Sequence, residues 1–258
     1  MISQGTLVTI EKLWSKEFEM NDIGVAVVPL ILYYLFNWFV IKHKVEEKEF
    51  WLCLILFGIM LFCGKRSAYL SVTIGALLIF LFGRVRQKRV AFIVSVCAFT
   101  GSFLLIILIK SGLIGSLLQD KGTLTDRYYV WKHFDHIYSI SPLYLGQGFT
   151  FIHKYMENGL GDRMVNAYGY LHNTILQLYI ETGFWCFVMW MAFYLFAVPI
   201  KMNKYGQKAV LFSIISIVAM LTMYIFDNTL TYPLYQISLI LTFSYLAYTA
   251  KEKKSESN

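Results

Sequence analysis

The sequence predicts an all-α fold, a polytopic bundle of transmembrane helices with one large extracytoplasmic loop. Composition is the first observation behind this prediction: 57% of the residues are hydrophobic, only 15% are charged, and the mean hydropathy is +0.56. Soluble globular domains rarely have such a composition. The second observation is that the apolar residues form continuous runs, and the third is that short basic blocks separate alternate runs.

Seven apolar runs are candidates for membrane-spanning helices. A helix needs about 20 apolar residues to cross a bilayer, with roughly 17 as the lower limit. The runs are Ile23–Ile41, Phe50–Cys63, Ser67–Gly83, Val90–Ile109, Thr174–Ile200, Ala209–Phe226 and Pro233–Thr249. We expect about seven spans, with six as the alternative because Phe50–Cys63 is short.

The basic residues indicate how these spans are oriented. Blocks that begin at Lys42, Arg84, Lys201 and Lys251 follow every second run, as the positive-inside rule predicts for cytoplasmic loops. The N-terminus is therefore predicted outside and the C-terminus inside. Because this pattern accounts for the net charge of +7, we expect a lipid bilayer, and no nucleic acid, as the partner of these charges.

The predicted organisation follows from these spans. Residues 1–22 form an extracytoplasmic tail, 23–109 four transmembrane helices, 110–173 the large extracytoplasmic loop, 174–249 three further helices and 250–258 a cytoplasmic tail. No cleavable signal peptide is visible, because the first 22 residues lack an apolar core. An N-terminus that starts outside fits either a short tail or a chain that has lost upstream helices.

The large loop is far longer than an ordinary connection, and such loops are usually functional or disordered. Its many aromatic residues argue against disorder. Part of it has apolar residues at spacings of three and four, which predicts an amphipathic helix with a start at Thr123 and Asp126 and a stop at Pro142. The apolar stripe comprises Leu124, Tyr128, Trp131, Phe134 and Tyr138.

Two arginines on the predicted outer face are candidate anion ligands. Arg66 lies in the turn between the second and third spans, and Arg127 lies near the start of the loop helix. A guanidinium matches phosphate oxygens bidentately and keeps its charge, which suits a phosphorylated ligand. The alternative is structural: Arg66 would reach lipid head groups, and Arg127 would join a surface ion pair.

His172 is the candidate proton acceptor, at the point where the loop re-enters the membrane. Imidazole titrates near neutrality and can act as a general base towards a hydroxyl group. The alternative is an interfacial histidine that is satisfied by lipid phosphate or a backbone carbonyl. Glu181 lies in the fifth run, but a continuous helix would place it on the face opposite His172, so we expect it to pack beside Gln177 instead.

The sequence gives no support to metal or nucleotide chemistry. It contains no D-x-D pair on the predicted outer face, no G-x-x-x-x-G-K-[ST] loop and no H-E-x-x-H helix. The four cysteines lie inside apolar runs without a C-x-x-C pair, so neither a zinc site nor a disulfide framework is predicted. We expect no metal and no cofactor.

Three motifs, taken together, resemble the family of O-antigen ligases and Wzy-type polysaccharide polymerases of bacterial integral membrane proteins. The first is Gly64-Lys65-Arg66-Ser67, similar to the family's Ser-Arg-Gly turn except at Lys65 and Ser67. The second is Asp126-Arg127 followed by Trp131, Pro142 and Gly146-Gln147-Gly148. The third is His172-Asn173 followed by Leu176, Glu181 and Gly183. The resemblance covers about residues 60–190.

This resemblance implies roles for individual residues. Arg66 and Arg127 would bind the pyrophosphate of an undecaprenyl-linked glycan, His172 would activate or orient the acceptor hydroxyl, and Asn173 would contact substrate. The implied activity is a metal-independent glycosyltransferase in the bacterial cytoplasmic membrane. It would polymerise repeat units of capsule, O-antigen or exopolysaccharide, or ligate the glycan to an acceptor, alone or with other polysaccharide assembly proteins.

Two other readings remain open. A transporter or flippase of lipid-linked glycans would place its ionisable residues near the membrane midplane, on broken helices. An inactive scaffold in an assembly complex would fit a chain that lacks some of the family's helices.

Overall fold

The computed structural model describes residues 20–83, 87–117, 123–228 and 232–255, which are 82% helical and contain no strand. The predicted all-α class is therefore confirmed. The helices are α1 (Met20–Ala26), α2 (Val28–Phe36), α3 (Glu47–Cys63), α4 (Arg66–Phe82), α5 (Gln87–Lys110), α6 (Leu113–Leu117), α7 (Thr123–His133), α8 (Phe151–Glu157), α9 (Arg163–Tyr168), α10 (Thr174–Ala192), α11 (Val198–Met202), α12 (Gln207–Phe226) and α13 (Pro233–Ser255).

Four helical stretches in the described part of the chain are long and apolar enough to cross a membrane. They are Asp22–Lys42, Arg89–Lys110, Thr174–Tyr205 and Gln207–Phe226. The count of seven spans, the orientation and the outer location of the loop stay predictions. Most of the N-terminal tail, residues 1–19, and the basic residues Arg84 and Arg86 lie outside the described residues.

The helix α12 forms the centre of the bundle. Its residues are buried on nearly every side from Ala209 to Tyr224, which is typical of a helix that is apolar all round. It packs against α4, where the Ser71 hydroxyl donates a 2.7 Å hydrogen bond to the Ala219 carbonyl. One end of α4 is therefore held against one end of α12.

The long segment between α5 and α10 contains a helix that begins at the predicted Thr123. The predicted stop at Pro142 is wrong, because the α-helix ends at His133 and one 3-10 turn follows to His136. Trp131, Phe134 and Tyr138 are buried, whereas the side chain of Leu124 lies outside the described residues. The Trp131 indole donates a 2.8 Å hydrogen bond to the Leu171 carbonyl. The Lys110 ammonium, at the end of α5, donates to the Tyr138 carbonyl at 2.6 Å. The first bond ties two parts of this segment together, and the second ties the segment to the end of α5.

The fifth apolar run differs from the single continuous helix that its composition predicts. Gly183 has φ 77° and ψ 179°, which breaks α10, and the helical path then continues to Tyr205 through a π-helical turn. The rings of Tyr179 and Phe187 lie 5.6 Å apart. The break at Gly183 therefore lies between two aromatic side chains that remain in ring contact.

A segment of the long loop, Tyr144–Gly148, occupies the break. Gln147 N donates to the Ile180 carbonyl at 3.0 Å, Gly148 N to the Glu181 carbonyl at 2.9 Å, and Phe184 N to the Tyr144 carbonyl at 2.9 Å. These are backbone groups that a helix break leaves without partners. The expectation of one uninterrupted fifth span is therefore wrong, because the loop supplies the hydrogen bonds that replace the missing turn.

Glycine is required on both sides of this contact. A Cβ atom on Gly183 would lie 2.3 Å from the carbonyl carbon of Leu145, and one on Gly146 would lie 2.5 Å from the Glu181 carbonyl oxygen. Both glycines also have positive φ, a conformation that other residues seldom adopt. The glycines of two motifs thus meet in one close backbone contact.

Candidate active site

Asp227 is the centre of the candidate site. Its Oδ2 lies 2.7 Å from the Lys65 ammonium and accepts a 3.1 Å hydrogen bond from the Ser67 hydroxyl. Its Oδ1 accepts from the Tyr232 hydroxyl at 3.1 Å and lies 3.9 Å from His172 Nδ1. We call these five residues the Asp227 cluster. They come from three separate parts of the chain: the start of α4 with the turn before it, the end of the long loop, and the connection between α12 and α13.

The ends of two packed helices bring this cluster together. Gly64, with φ 68°, ends α3 in the left-handed conformation, and Lys65 is the residue that precedes α4. Asp227 directly follows α12 and has an extended backbone. Because α4 and α12 pack along each other, the turn before α4 meets the residue after α12.

His172 is positioned through its neighbours in the chain. Leu171 is held by Trp131, and Thr174 donates to the Asp227 carbonyl from its backbone at 3.3 Å and from its hydroxyl at 2.7 Å. His172 itself has φ 51°, a strained conformation for a residue that is not glycine. These contacts hold the strained residue in place beside Asp227.

The imidazole of His172 is half-enclosed. Its Nδ1 is buried and has no hydrogen-bond partner among the described residues, because the 3.9 Å separation from Asp227 Oδ1 exceeds a hydrogen bond. The side chain as a whole is 28% exposed. One ring nitrogen therefore faces the carboxylate, while another part of the ring remains accessible to a substrate.

Arg127 lies at the same end of α12 as Asp227. Its Nη1 donates a 2.7 Å hydrogen bond to the carbonyl of Phe226, the last residue of that helix. Arginine at this position also interacts favourably with the negative end of the helix dipole. The contact is a helix cap rather than the surface ion pair that the structural alternative predicts.

Arg66 is the first residue of α4, between Lys65 and Ser67 of the Asp227 cluster. Its side chain is exposed, and it makes no hydrogen bond or ion pair within the described ranges. Since Lys65 is paired with Asp227, Arg66 carries positive charge at the edge of the site that no neighbouring carboxylate neutralises. Near the end of α12, the structure thus places His172 beside Asp227, Arg127 on the carbonyl of the preceding residue, and Arg66 in the turn whose Lys65 and Ser67 contact the carboxylate.

Asn173 is the fourth residue that the sequence singles out. It is fully buried, and its Oδ1 accepts a 2.9 Å hydrogen bond from Leu176 N as the N-cap of α10. Its amide nitrogen has no partner in the part of the chain that the structure describes. The structure therefore gives Asn173 a capping role, and its contact with substrate stays a prediction.

The electrostatics of the cluster favour an ionised Asp227. Burial alone would raise the pKa of this carboxyl, but the neighbouring His172 imidazole and the charge and hydrogen bond of Lys65 outweigh burial. Together they hold the pKa well below its usual range. The site thus contains a fixed negative charge next to the histidine.

Glu181 makes no contact with His172 among its hydrogen bonds, which agrees with the expectation from the sequence. Its Oε1 accepts hydrogen bonds from Ile152 N at 3.1 Å and from the Gln177 amide at 3.3 Å. The expected pairing with Gln177 is confirmed. The bond from Ile152 N fastens the start of α8 to α10. Glu181 therefore packs the loop onto the helix and lies outside the site.

Sequence reasoning missed Asp227 and Lys65. Asp227 stands at the end of an apolar run, a position where an ionisable residue is expensive and usually functional, and that signal could have singled it out. Lys65 was identified only as a departure from a motif. Its role depends on a partner 162 positions away in the sequence, which spacing does not reveal.

The described residues contain no group of three or more His, Cys, Asp or Glu side chains that could hold a metal ion. No match to the chain was found among curated proteins or among solved structures. A family model described as Wzy_C, O-antigen ligase, matches residues 51–191, which is more than half of the chain and includes Arg66, Arg127 and His172. The chain therefore belongs to the O-antigen ligase family and is an integral membrane protein of glycan processing.

Proposed function

We propose that the protein is a glycosyltransferase that uses an undecaprenyl-pyrophosphate-linked glycan as donor, at the outer face of the bacterial cytoplasmic membrane. The observation that supports this proposal is that His172, the Arg127 side chain and the turn that contains Arg66 all lie at the end of α12 that carries the buried Asp227. A proton acceptor and cations for a phosphate leaving group are the parts that such a transfer needs.

In the proposed reaction, an acceptor sugar hydroxyl attacks the anomeric carbon of the donor glycan. The bond from that carbon to the pyrophosphate oxygen breaks, and the leaving pyrophosphate takes the electron pair. The hydroxyl proton passes to His172, and the negative charge of Asp227, 3.9 Å from Nδ1, stabilises the resulting imidazolium. Arg66 and Arg127 neutralise the departing pyrophosphate.

A purified protein and a lipid-linked repeat unit test the proposal directly. We expect the wild type to transfer glycan, and His172→Ala to lower the rate about 100-fold or more, as for loss of a general base. Arg127→Lys keeps the charge but loses the planar N–H donors of the guanidinium group, so we expect a marked fall in the transfer rate as well. Unchanged rates in both variants would contradict the assignment.

Matched controls exist within the same loop. His136 and Arg163 are exposed and lie outside the Asp227 cluster. We expect His136→Ala and Arg163→Lys to retain the wild-type rate. Size-exclusion profiles of all four variants in detergent separate loss of activity from loss of folding.

The rival function is transport of a lipid-linked glycan, and the broken helix at Gly183 is the observation that favours it. In transporters, however, the freed backbone groups line a substrate cavity, whereas here the loop residues Tyr144, Gln147 and Gly148 pair with them. This pairing favours the enzyme. If proteoliposomes show flux of a labelled lipid-linked glycan but no glycan transfer, the protein is a transporter and the proposed enzyme activity is refuted.

Analysis of surface glycan in a deletion strain distinguishes the two enzymatic forms. Loss of polymer with single repeat units retained indicates a polymerase. Full-length polymer that accumulates on its lipid carrier indicates a ligase.

A further inference from the structure

Two tyrosine rings lie beside His172, and a second histidine stacks on one of them. The Tyr168 ring centroid is 5.9 Å from the His172 centroid and the Tyr170 centroid is 6.4 Å away, both in edge-to-face geometry. The His153 ring stacks on Tyr170 at 5.8 Å, with an angle of 14° between the ring planes. We call Tyr170 with His153 behind it the aromatic platform.

The ring of Tyr170 is only partly covered. His153 covers one side of the Tyr170 ring, yet Tyr170 remains 48% exposed. A ligand that covers the exposed part of this ring removes apolar surface from water, which is favourable. The ring lies next to the histidine to which the proposed function assigns the acceptor hydroxyl.

Tyr168 links the platform to the arginine side of the site. Burial raises the pKa of its phenol, Asp126 adds to the rise, and the charge of Arg127 opposes it. Tyr168 is therefore within electrostatic range of Arg127 and also in ring contact with His172. In space, the side chains are ordered Arg127, Tyr168, His172 and Tyr170. The proposed phosphate-binding cation is at one end of this row, and a neutral aromatic ring is at the other.

We propose that the terminal sugar ring of the acceptor stacks on the exposed part of the Tyr170 ring. This inference rests on the proposed function and names the acceptor subsite of the same site. One face of a sugar ring presents C–H groups, which pack on the negative face of an aromatic ring, while its hydroxyl groups remain at the edge. With the sugar about 4–5 Å above Tyr170, as in stacked rings, a hydroxyl at its edge comes within reach of the neighbouring His172.

The local charges select a neutral sugar over a phosphate at this position. The Glu157 carboxylate lies 3.7 Å from His153 Nε2 and is exposed. The charged group that contacts the platform is thus a carboxylate, whereas Arg66 and Arg127 offer cations to a phosphate elsewhere in the site. Donor phosphate is thus assigned to the arginines and the acceptor sugar to Tyr170.

Acceptor saturation kinetics test the platform. We expect Tyr170→Ala to raise the KM for the acceptor about 5- to 10-fold, the equivalent of about 1 kcal/mol of stacking. The kcat and the KM for the donor should change less than about 2-fold, since neither the histidine nor the arginines are altered. Tyr170→Phe keeps the ring and should behave as the wild type.

Tyr129→Ala is the matched control, because Tyr129 is an equally exposed tyrosine of the same loop, at 47%, and lies outside the platform. It should leave the acceptor KM unchanged. If Tyr170→Ala leaves the acceptor KM unchanged in an active enzyme, the platform is refuted. If it instead changes donor and acceptor KM equally, Tyr170 anchors the protein to lipid, and the proposal is overturned as well.

A binding measurement separates this inference from the proposed function. Saturation-transfer NMR of a soluble acceptor glycan on the detergent-solubilised protein should show contacts that Tyr170→Ala removes and Tyr170→Phe retains. If the wild type binds the glycan in this way but transfers nothing, the proposed function fails and the platform stands. If the wild type transfers glycan but binding is the same in Tyr170→Ala, the platform fails and the proposed function stands.

Discussion

Asp227 and Glu181 are both almost completely buried carboxylates, at 2% and 6% exposure, but their partners differ in kind. Asp227 faces the Lys65 ammonium and the His172 imidazole. Glu181 accepts hydrogen bonds from the neutral donors Ile152 N and the Gln177 amide. Both satisfy the rule that a buried carboxylate needs partners, but only Asp227 lies beside groups that can exchange protons or bind anions.

The difference teaches how to distinguish structural from functional carboxylates in this fold. The Glu181 bonds close the contact between the loop and α10, so their loss should affect folding alone. The Asp227 contacts also set the charge and position of His172, so their loss should affect both folding and transfer. The following predictions test this distinction, from the largest expected effect to the smallest.

Asp227→Ala should be the most damaging change. It leaves Lys65, whose side chain is only 19% exposed, without its counter-ion, which typically costs about 3–5 kcal/mol of folding free energy. Thermal unfolding in detergent measures this loss, and the transfer assay should show almost no activity. Glu46→Ala is the control, since Glu46 pairs with Lys42 at an exposed position. If Asp227→Ala transfers glycan at the wild-type rate, Asp227 has no role in the reaction.

Gly183→Ala should have the second-largest effect. We expect it to lower the free energy of unfolding by about 3 kcal/mol, because of backbone strain and the clash with Leu145. Its matched control is Gly101→Ala, because a Cβ there meets nothing within 4 Å. Gly101 lies inside α5, so that substitution should be neutral or slightly stabilising. Chemical denaturation followed by circular dichroism compares the two. Equal stability of both variants would show that the loop does not depend on this contact.

Glu181→Ala should lower the free energy of unfolding by less, about 1–3 kcal/mol, because it leaves the buried Ile152 N–H without an acceptor. Glu181→Gln retains an acceptor oxygen and should lose less stability than the alanine variant. Both variants should transfer glycan at the wild-type rate at temperatures where they remain folded. A fall in kcat with unchanged stability would mean that Glu181 contributes to the chemistry after all.

Acid titration should give the smallest effect. Because the pKa of Asp227 is lower in the folded protein than its unfolded value of about 3.9, its stabilisation is complete above that pH. It is lost as the pH falls below about 4 towards the folded-state pKa. The melting temperature of the wild type should fall over this window. Asp227→Asn cannot titrate and should show a shallower fall, and parallel curves would contradict the pKa assignment.

The sequence predicted the helices better than their interruptions. Continuous apolar runs are sufficient to predict helices such as α5 and α12, and the stripe around Trp131 was sufficient to predict α7. The break at Gly183 was not predictable, because glycine in an apolar run is compatible with an uninterrupted helix. It breaks here since the backbone of Tyr144–Gly148 competes for its hydrogen bonds, which is a property of the tertiary structure.

The candidate site was predicted in part for a similar reason. Arg66, Arg127 and His172 were selected by side-chain chemistry and by a family resemblance, and the structure brings them to the same end of α12. Asp227 was not selected, although it lies between them. Its carbonyl binds Thr174, 53 positions away in the sequence, and only the packing of α10 against α12 makes the two residues neighbours.

The contact at Gly183 also has a consequence for the order in which the protein is made. A ribosome delivers Tyr144–Gly148 before it delivers Phe184, so the loop segment exists before the helix that it interrupts. While the chain grows, the Ile180 carbonyl and Phe184 N can pair within a continuous helix. The finished protein pairs both of them with the loop instead. A chain that ends before Phe184 therefore contains this loop segment without one of its hydrogen-bond partners.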